Sequence, residues 1–413
     1  MQIRPLSHHA ITERAICCDI CDHAMLLPTL QKNQKANCPH CHHTVRVGNL
    51  WSLKRCSILA LSILILMPFA FSFPLLNIQL LGTPIYTSIW SGIWKMATEG
   101  YPYSAFLILV CAIVMPISFI LIIILLQICY LFKINAKILL LSLNYIKSWV
   151  MLDVYLISLG VAAFKVREYA SISFTPYLIP FILVTFLTIL LFTKTSPKQF
   201  WDNFYPPSFT KCEHLRYCTT CGLSFPATQA IEHFCPRCHA TTTVDTNLIL
   251  QRTWSTLIAG AIMLLPANLL PISVVYVNGV PTADTLMSGV LTFIEMGNYS
   301  IAAIVFIASI FVPISKIMIM LYLLGCIHFR HGKNIHLQMK LFAIVHFVGR
   351  WSMLDLFVLS LMMSLVTRGQ LISFSVGPAA IYFGLAVVLT MISAEVFDTR
   401  LLWKNYTNDS EHQ

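Results

Sequence analysis

Long apolar runs, rather than short alternating ones, organise this chain. Eight of them approach the roughly 20 residues that a helix needs to cross a bilayer: 56–80, 104–132, 149–165, 174–193, 254–277, 300–327, 343–366 and 374–397. None alternates with the period of two expected of a transmembrane β-strand. The pattern predicts an α-helical polytopic membrane protein. Composition agrees, since 57% of the 413 residues are hydrophobic and only 11% charged, a balance outside the range of soluble domains.

Charge adds an orientation. The first 50 residues contain no apolar segment of signal-peptide type, so the first span is expected to act as an uncleaved anchor. Most of the 27 lysines and arginines fall in the N-terminal region and in alternate loops from there. The opposite loops hold only Lys95, Lys165, Arg167 and Arg368, and Lys316 lies inside a span. The positive-inside rule then predicts cytoplasmic termini. The formal charge of +10 reflects that topology and the anionic leaflet, and gives no reason to expect nucleic-acid binding.

An internal repeat sets the architecture. "CDIC…CPHC" at 18–41 returns as "CTTC…CPRC" at 218–238. "PIS" at 116 returns at 313, "MLD" at 151 returns at 353, and "FWDNF" at 200 returns as "LWKNY" at 402. Each half is one cysteine module followed by four spans. Because four is even, both halves have the same orientation, which makes this a parallel repeat. The expected domains are a zinc ribbon over 1–50, a bundle over 51–205, a second ribbon over 206–252, a second bundle over 253–406, and a tail over 407–413.

The cysteine modules have zinc-ribbon spacing. Cys18, Cys21, Cys38 and Cys41, then Cys218, Cys221, Cys235 and Cys238, place two C-x-x-C turns so that four thiolates can meet one Zn²⁺ tetrahedrally. Two structural zinc ions are expected. A redox dithiol or a disulfide is the alternative, opposed by the predicted cytoplasmic side. Cys17 adjoins Cys18 and is a possible substitute ligand. A closed four-thiolate site leaves no coordination position for a substrate, so the chain is not expected to be an enzyme. A phosphate-binding G-x-x-x-x-G-K-[ST] loop is absent from the sequence, so ATP is not expected as the energy source.

Ionisable groups inside spans are functional candidates unless they sit at an interface. Lys165, Arg167 and Glu395 read as interfacial residues whose side chains snorkel. Asp153 and Asp355 stand in the repeated M-L-D, and a shallow, water-reached position is the bland alternative for both. The halves differ in one direction. Ala112 corresponds to Ser309, Phe119 to Lys316, and Val150 to Ser352, each change making the second half more polar. Ser309 and Lys316 share a helix face, as do Ser352 and Asp355. Pro313 stands between the first pair and is expected to kink the helix. Thr390, matched by Thr188, adds a hydroxyl. A Lys316–Asp355 pair would have a protonation state sensitive to water access and occupancy, as proton relays require; a static pair that fixes helix packing is the alternative.

The duplicated cysteine modules, each followed by W-S, four spans and a W-x-M-L-D helix, resemble the paraquat-inducible protein A family of Gram-negative inner-membrane proteins. "LILMPFAFSFPLL" and "KSWVMLDVYL" are similar to segments of its lipid-transport branch. The resemblance covers residues 18–406. It implies tetraspanin- or claudin-like four-span bundles and a periplasmic MCE-domain tunnel protein as partner. It also implies membrane phospholipids as cargo and a network linked to the proton-motive force. Asp355, Lys316, Ser352, Ser309 and Thr390 match that network, with Asp153 as the first-half counterpart. Two other classes stay open: a membrane scaffold that anchors the tunnel without transporting, and a thiol- or quinone-linked oxidoreductase.

Overall fold

In the computed structural model the described residues are 14–27, 30–31, 34–48, 51–80, 83–98, 100, 102–166, 171–206, 215–226, 234–242, 245–277, 280–295, 297–329, 335–366 and 372–403. The first module is built from two hairpins, β1 (Arg14–Cys17) with β2 (Ala24–Leu27) and β3 (Lys35–Asn37) with β4 (Thr44–Val47). The first bundle follows as α1 (Leu53–Ser72), β5 (Leu76–Leu80), β6 (Thr83–Thr87), α2 (Ile89–Thr98), α3 (Pro102–Leu109), α4 (Met115–Phe132), α5 (Lys137–Lys147), α6 (Leu152–Val166), β7 (Ser171–Phe174) and α7 (Leu178–Lys194), with α8 (Pro197–Phe204) behind it.

The second half repeats this order. It has β8 (Leu215–Tyr217) and β9 (Ser224–Pro226), then α9 (Thr246–Leu269), β10 (Ser273–Val277), β11 (Val280–Asp284), α10 (Leu286–Glu295), α11 (Tyr299–Phe306), α12 (Val312–His328), α13 (Ile335–Val348), α14 (Leu354–Val366), β12 (Ile372–Val376) and α15 (Ala379–Val396). Among the described residues seven helical segments are long and apolar enough to cross a membrane. An eighth is reached when Leu178–Lys194 and Pro197–Phe204, bent by 59°, count as one span. The protein is a multi-pass membrane protein.

Several boundaries differ from the sequence reading. The runs 56–80 and 254–277 end as strands, because Pro74 and Pro271 interrupt the helices and the residues beyond pair with neighbours. β5 pairs with β6 and β7, and β10 with β11 and β12, all antiparallel. Each bundle therefore carries a three-stranded sheet at the end away from the ribbons. The segments 133–147 and 328–350, expected as loops, contain α5 and α13. Each runs roughly in line with the span after it, as Lys137–Ala163 and Ile335–Leu361, and α13 reaches the first ribbon, where His336 faces His42 at 6.4 Å.

A kink is expected at Pro313, and the chain widens ahead of it and ahead of its counterpart Pro116. Val110–Val114 and Ile307–Phe311 are single π-helical turns. A proline ring clashes with the carbonyl four residues back, here those of Ala112 and Ser309, and a wide turn absorbs the misfit without breaking the span. Both halves solve the same local problem in the same way.

Helix α1 packs on α4 and α7, and α9 on α12 and α15. Gly260 permits the close α9–α15 approach, since a Cβ there would lie 2.8 Å from Thr390 Cγ2. The halves join where α6 meets α14. Tyr155 and Phe357, which occupy matched positions in the repeat, touch across this joint with ring centroids 5.3 Å apart, as expected when one axis relates two parallel copies.

Candidate functional site

Four identical turns build the cysteine clusters. The amide of the first cysteine in each turn donates to a carbonyl five residues on, and its own carbonyl accepts from the amide four residues on. Asp22, His42, Gly222 and His239 take left-handed conformations to close them, with φ of 59°, 57°, 71° and 59°, where glycine, Asn, Asp and His are the tolerated types. The four sulfurs of each cluster lie within 4.8 Å of one another. Cys18 to Cys41 is 3.5 Å, Cys21 to Cys38 3.6 Å, Cys218 to Cys238 3.6 Å and Cys221 to Cys235 3.7 Å. A tetrahedral ion with sulfur bonds near 2.3 Å requires about 3.8 Å, so both clusters can hold a metal ion.

The thiol chemistry leads the same way. Hydrogen bonding from Cys21 draws the Cys18 pKa down to about 5, against the effect of burial. Burial, with the thiolate so formed, pushes Cys41 up to about 12. The Cys18 thiolate forms readily, whereas Cys21 and Cys41, both raised, need a cation to follow it. Cys17 stands outside the cluster. Its amide donates to Ser224 Oγ at 2.9 Å, and burial pushes its thiol up to about 11, so the ligand position belongs to Cys18.

That Cys17–Ser224 bond also joins the two ribbons into one unit. α8 sits beside them, and Asp202 on it accepts from Arg46 of the first ribbon and, at 3.1 Å, from Arg237 of the second. Lys198 of the same helix pairs with Asp19 at 2.8 Å. The guanidinium of Arg237 lies 5.4 Å from the Trp201 ring. The "FWDNF" repeat is thus a clasp between the ribbons and the membrane, a role the sequence reading did not assign.

Inside the membrane the predicted network residues divide. Lys316 is buried, 3% exposed, and its Nζ has no hydrogen-bond partner among the described residues; neither do the buried hydroxyls of Ser309, Ser352 and Ser360. Ser309 is in the π turn and Ser352 in the 3₁₀ turn Gly349–Met353 that replaces regular helix at "GRWSM". These two turns pack together, and α12 packs on the second. A Cβ on Gly349 would lie 3.3 Å from Lys316 Nζ, so the lysine ends against the repeated motif. The side chain of Asp355, the expected partner of Lys316, lies outside the described residues.

Thr390 is buried at the α9–α15 crossing, its hydroxyl donating at 3.0 Å to the Val387 carbonyl of its own helix. Thr188 likewise donates within its own helix, to the Val184 carbonyl at 2.7 Å. Asp153 is half-buried in the first turn of α6, where a carboxylate is favoured by the helix dipole.

A cavity of about 340 Å³ opens between the halves beside Lys316. Its wall includes Asn144, Lys147 and Ser148 from the first half, and Lys316, His346 and Glu395 from the second. Apolar surface from Phe192, Val345, Met391 and Ala394 completes it. Asn144 and His346, Lys147 and Gly349, and Phe192 and Ala394 are matched positions, each pair separated by the same interval as Met151 and Met353. The cavity therefore straddles the joint between the two copies. Glu395 Oε1 lies 3.6 Å from His346 Nε2, and Lys147 donates to the Thr195 carbonyl at 2.9 Å. Glu395 was read as an interfacial snorkeler, yet it faces this cavity with Lys316. The signal was available in the sequence, since Thr193 becomes Glu395 and Asn144 becomes His346 by the interval that relates the two M-L-D motifs.

The sequence pattern of the paraquat-inducible protein A family matches residues 53–205 and 250–407, once in each half. The chain belongs to this family. A family member from Haemophilus influenzae, described as a probable intermembrane transport protein, is 54% identical over 95% of the chain and 96% of its own length. The lipophilic envelope-spanning tunnel protein A of Escherichia coli K12 is 41% identical over 94% and 90%. The intermembrane transport protein PqiA of the same strain is 32% identical over 98% and 99%. No solved structure matches the chain.

Proposed function

We propose that this chain is a transporter of the cell envelope that moves phospholipid between the inner membrane and a periplasmic MCE-domain tunnel, driven by the proton-motive force through its second half. Transport is the function named for relatives that match nearly the whole chain. The observation that carries the coupling is the buried Lys316 amine, which, like Ser309 and Ser352, has no hydrogen-bond partner among the described residues, at the wall of a cavity between the two halves. Desolvated polar groups without partners cost free energy, and such an arrangement persists where changing occupancy or protonation uses it. Each elementary charge crossing 100 mV supplies about 2.3 kcal/mol, enough to bias two conformations repeatedly.

In this reading Lys316 and Asp355 exchange a proton as the joint between α6 and α14 shifts, with Ser309 and Ser352 positioning the groups; Thr390 and Asp153 act through packing. The two Cys₄ clusters each hold one structural Zn²⁺ on the cytoplasmic side, which locks the ribbons and supplies no reaction chemistry. Lys316→Met and Asp355→Asn, expressed at wild-type level in cells lacking the native protein, are expected to leave an envelope-integrity defect uncorrected. Full correction by both would overturn the proton mechanism and favour a scaffold. That second reading has its own support in the clasp at Asp202, which ties both ribbons to the membrane.

A further inference from the structure

The ribbon-side cavity has a polar gradient along its wall. Glu395 is in the last turn of α15 and its side chain is 42% exposed, that of His346 58%. Lys316, lining the same cavity, is 3% exposed. Exposed acid and imidazole thus stand at the open part, with the unpartnered amine at the enclosed part. Glu395 feels the charges of both His346 and Lys316 and interacts with the Ser148 hydroxyl. The other charged group on the wall, Lys147, is engaged with the Thr195 carbonyl and lies 4.5 Å from the Phe192 ring centroid; Asn144 adds a neutral amide. At about 30 Å³ per molecule the volume has room for on the order of ten waters, and the wall has the polar groups to hold them.

We infer that Glu395 and His346 form a proton-loading site that exchanges protons between ribbon-side water and Lys316 across this cavity. The inference rests on the proton-coupled reading above and deepens it by naming the ribbon-side end of the proton path. A proton from water adds to the Glu395 carboxylate or the His346 imidazole. It then passes through cavity water to the Lys316 amine, and the donor regains its starting form; no electron moves. Under an inward proton-motive force the flow runs the other way, the Lys316 ammonium returning its proton through cavity water to Glu395 or His346, which releases it to ribbon-side water. The first half lacks the device, because Asn144 and Thr193 stand where His346 and Glu395 do and Phe119 where Lys316 does. A carboxylate facing the lysine also works against an anionic occupant of the cavity.

The test uses the full chain in proteoliposomes, measuring transfer of a fluorescent phospholipid to acceptor vesicles with and without an imposed pH gradient. Glu395→Gln is expected to lower gradient-driven transfer about a hundredfold, the lower range for loss of a positioned proton carrier, and to leave gradient-free exchange unchanged. Glu395→Asp is expected to restore most of it with a shifted pH profile, and His346→Gln to narrow that profile. If Lys316→Met abolishes gradient-driven transfer while Glu395→Gln and His346→Gln match wild type, the proton passes by another route and the inference falls. If Lys316→Met also matches wild type, the coupled reading falls with it. Equal loss in Glu395→Gln and Glu395→Asp, with gradient-free exchange lost too, would show a structural role and also overturn it.

Discussion

The two halves share a chain order, a π turn ahead of the same proline and a three-stranded sheet, but matched positions in them differ in polarity and in hydrogen bonding. In the first half Ser158 donates to the Tyr155 carbonyl at 2.7 Å. Its counterpart Ser360 has no partner among the described residues, like Ser309 and Ser352. Phe119, fully buried, fills the place taken by Lys316. In the first bundle Ser158, Thr185 and Thr188 donate to their own helix backbone, while Ser104 and Gln127 keep a buried atom without a partner among the described residues. In the second bundle Ser309, Ser352, Ser360 and the Lys316 amine have no partner among the described residues. The repeat supplied two similar scaffolds, and the polar differences Ser309, Lys316 and Ser352 lie in the second. The difference teaches that a repeated motif marks a shared fold, and that comparing matched positions shows where the two copies have diverged.

This contrast can be broken or sharpened. The largest effect concerns where the halves are alike. Cys38→Ser and Cys235→Ser are each expected to release one of two bound metal ions and to unfold the ribbon concerned, since metal-linked folding in such modules is on the order of 10 kcal/mol. Metal analysis with limited proteolysis reads both, and an unequal result would extend the asymmetry into the ribbons. Next comes the lysine. Lys316→Met should abolish gradient-driven transport while leaving the melting temperature unchanged or raised, because an apolar isostere of a buried charge is neutral or stabilising by about 1–4 kcal/mol. A loss of both would mark Lys316 as structural.

A smaller effect is expected at the clasp. Asp202→Ala leaves the buried Arg237 without its carboxylate and should cost about 2 kcal/mol, read as earlier thermal release of the ribbons from the bundles. The matched position is Lys404, of opposite charge, so Lys404→Ala should not reproduce the effect. The smallest is a pair. Ser158→Ala should cost about 1 kcal/mol and Ser360→Ala nothing or less, measured by denaturation in detergent; equal costs would show that Ser360 is satisfied after all.

Much of this architecture was legible from residue order. Apolar run length gave the spans because a bilayer accepts little else, and C-x-x-C pairs gave the clusters because four sulfurs around one ion tolerate few spacings. The strands at 76–80 and 273–277 were hidden, since an apolar strand and an apolar helix end look alike until Pro74 and Pro271 are weighed. The helices α5 and α13 were hidden for the opposite reason, their charge suggesting loops. Among the site residues, Lys316, Ser309 and Ser352 stood out by comparing the halves, whereas Glu395 and His346 were passed over because charge near a span end is usually interfacial.

The sequence by itself determined that there are two copies, which stretches are apolar enough to cross a membrane and which copy carries the extra polar groups, because these follow from local hydropathy and from aligning a chain with itself. Only the tertiary structure decided that Asn144, Lys147, His346 and Glu395 share one cavity with Lys316, that Asp202 joins two ribbons, and that Tyr155 meets Phe357. Those contacts link residues far apart in the chain, and they depend on how two bundles pack against each other, a geometry set by side-chain shape at the α6–α14 joint rather than by any local pattern.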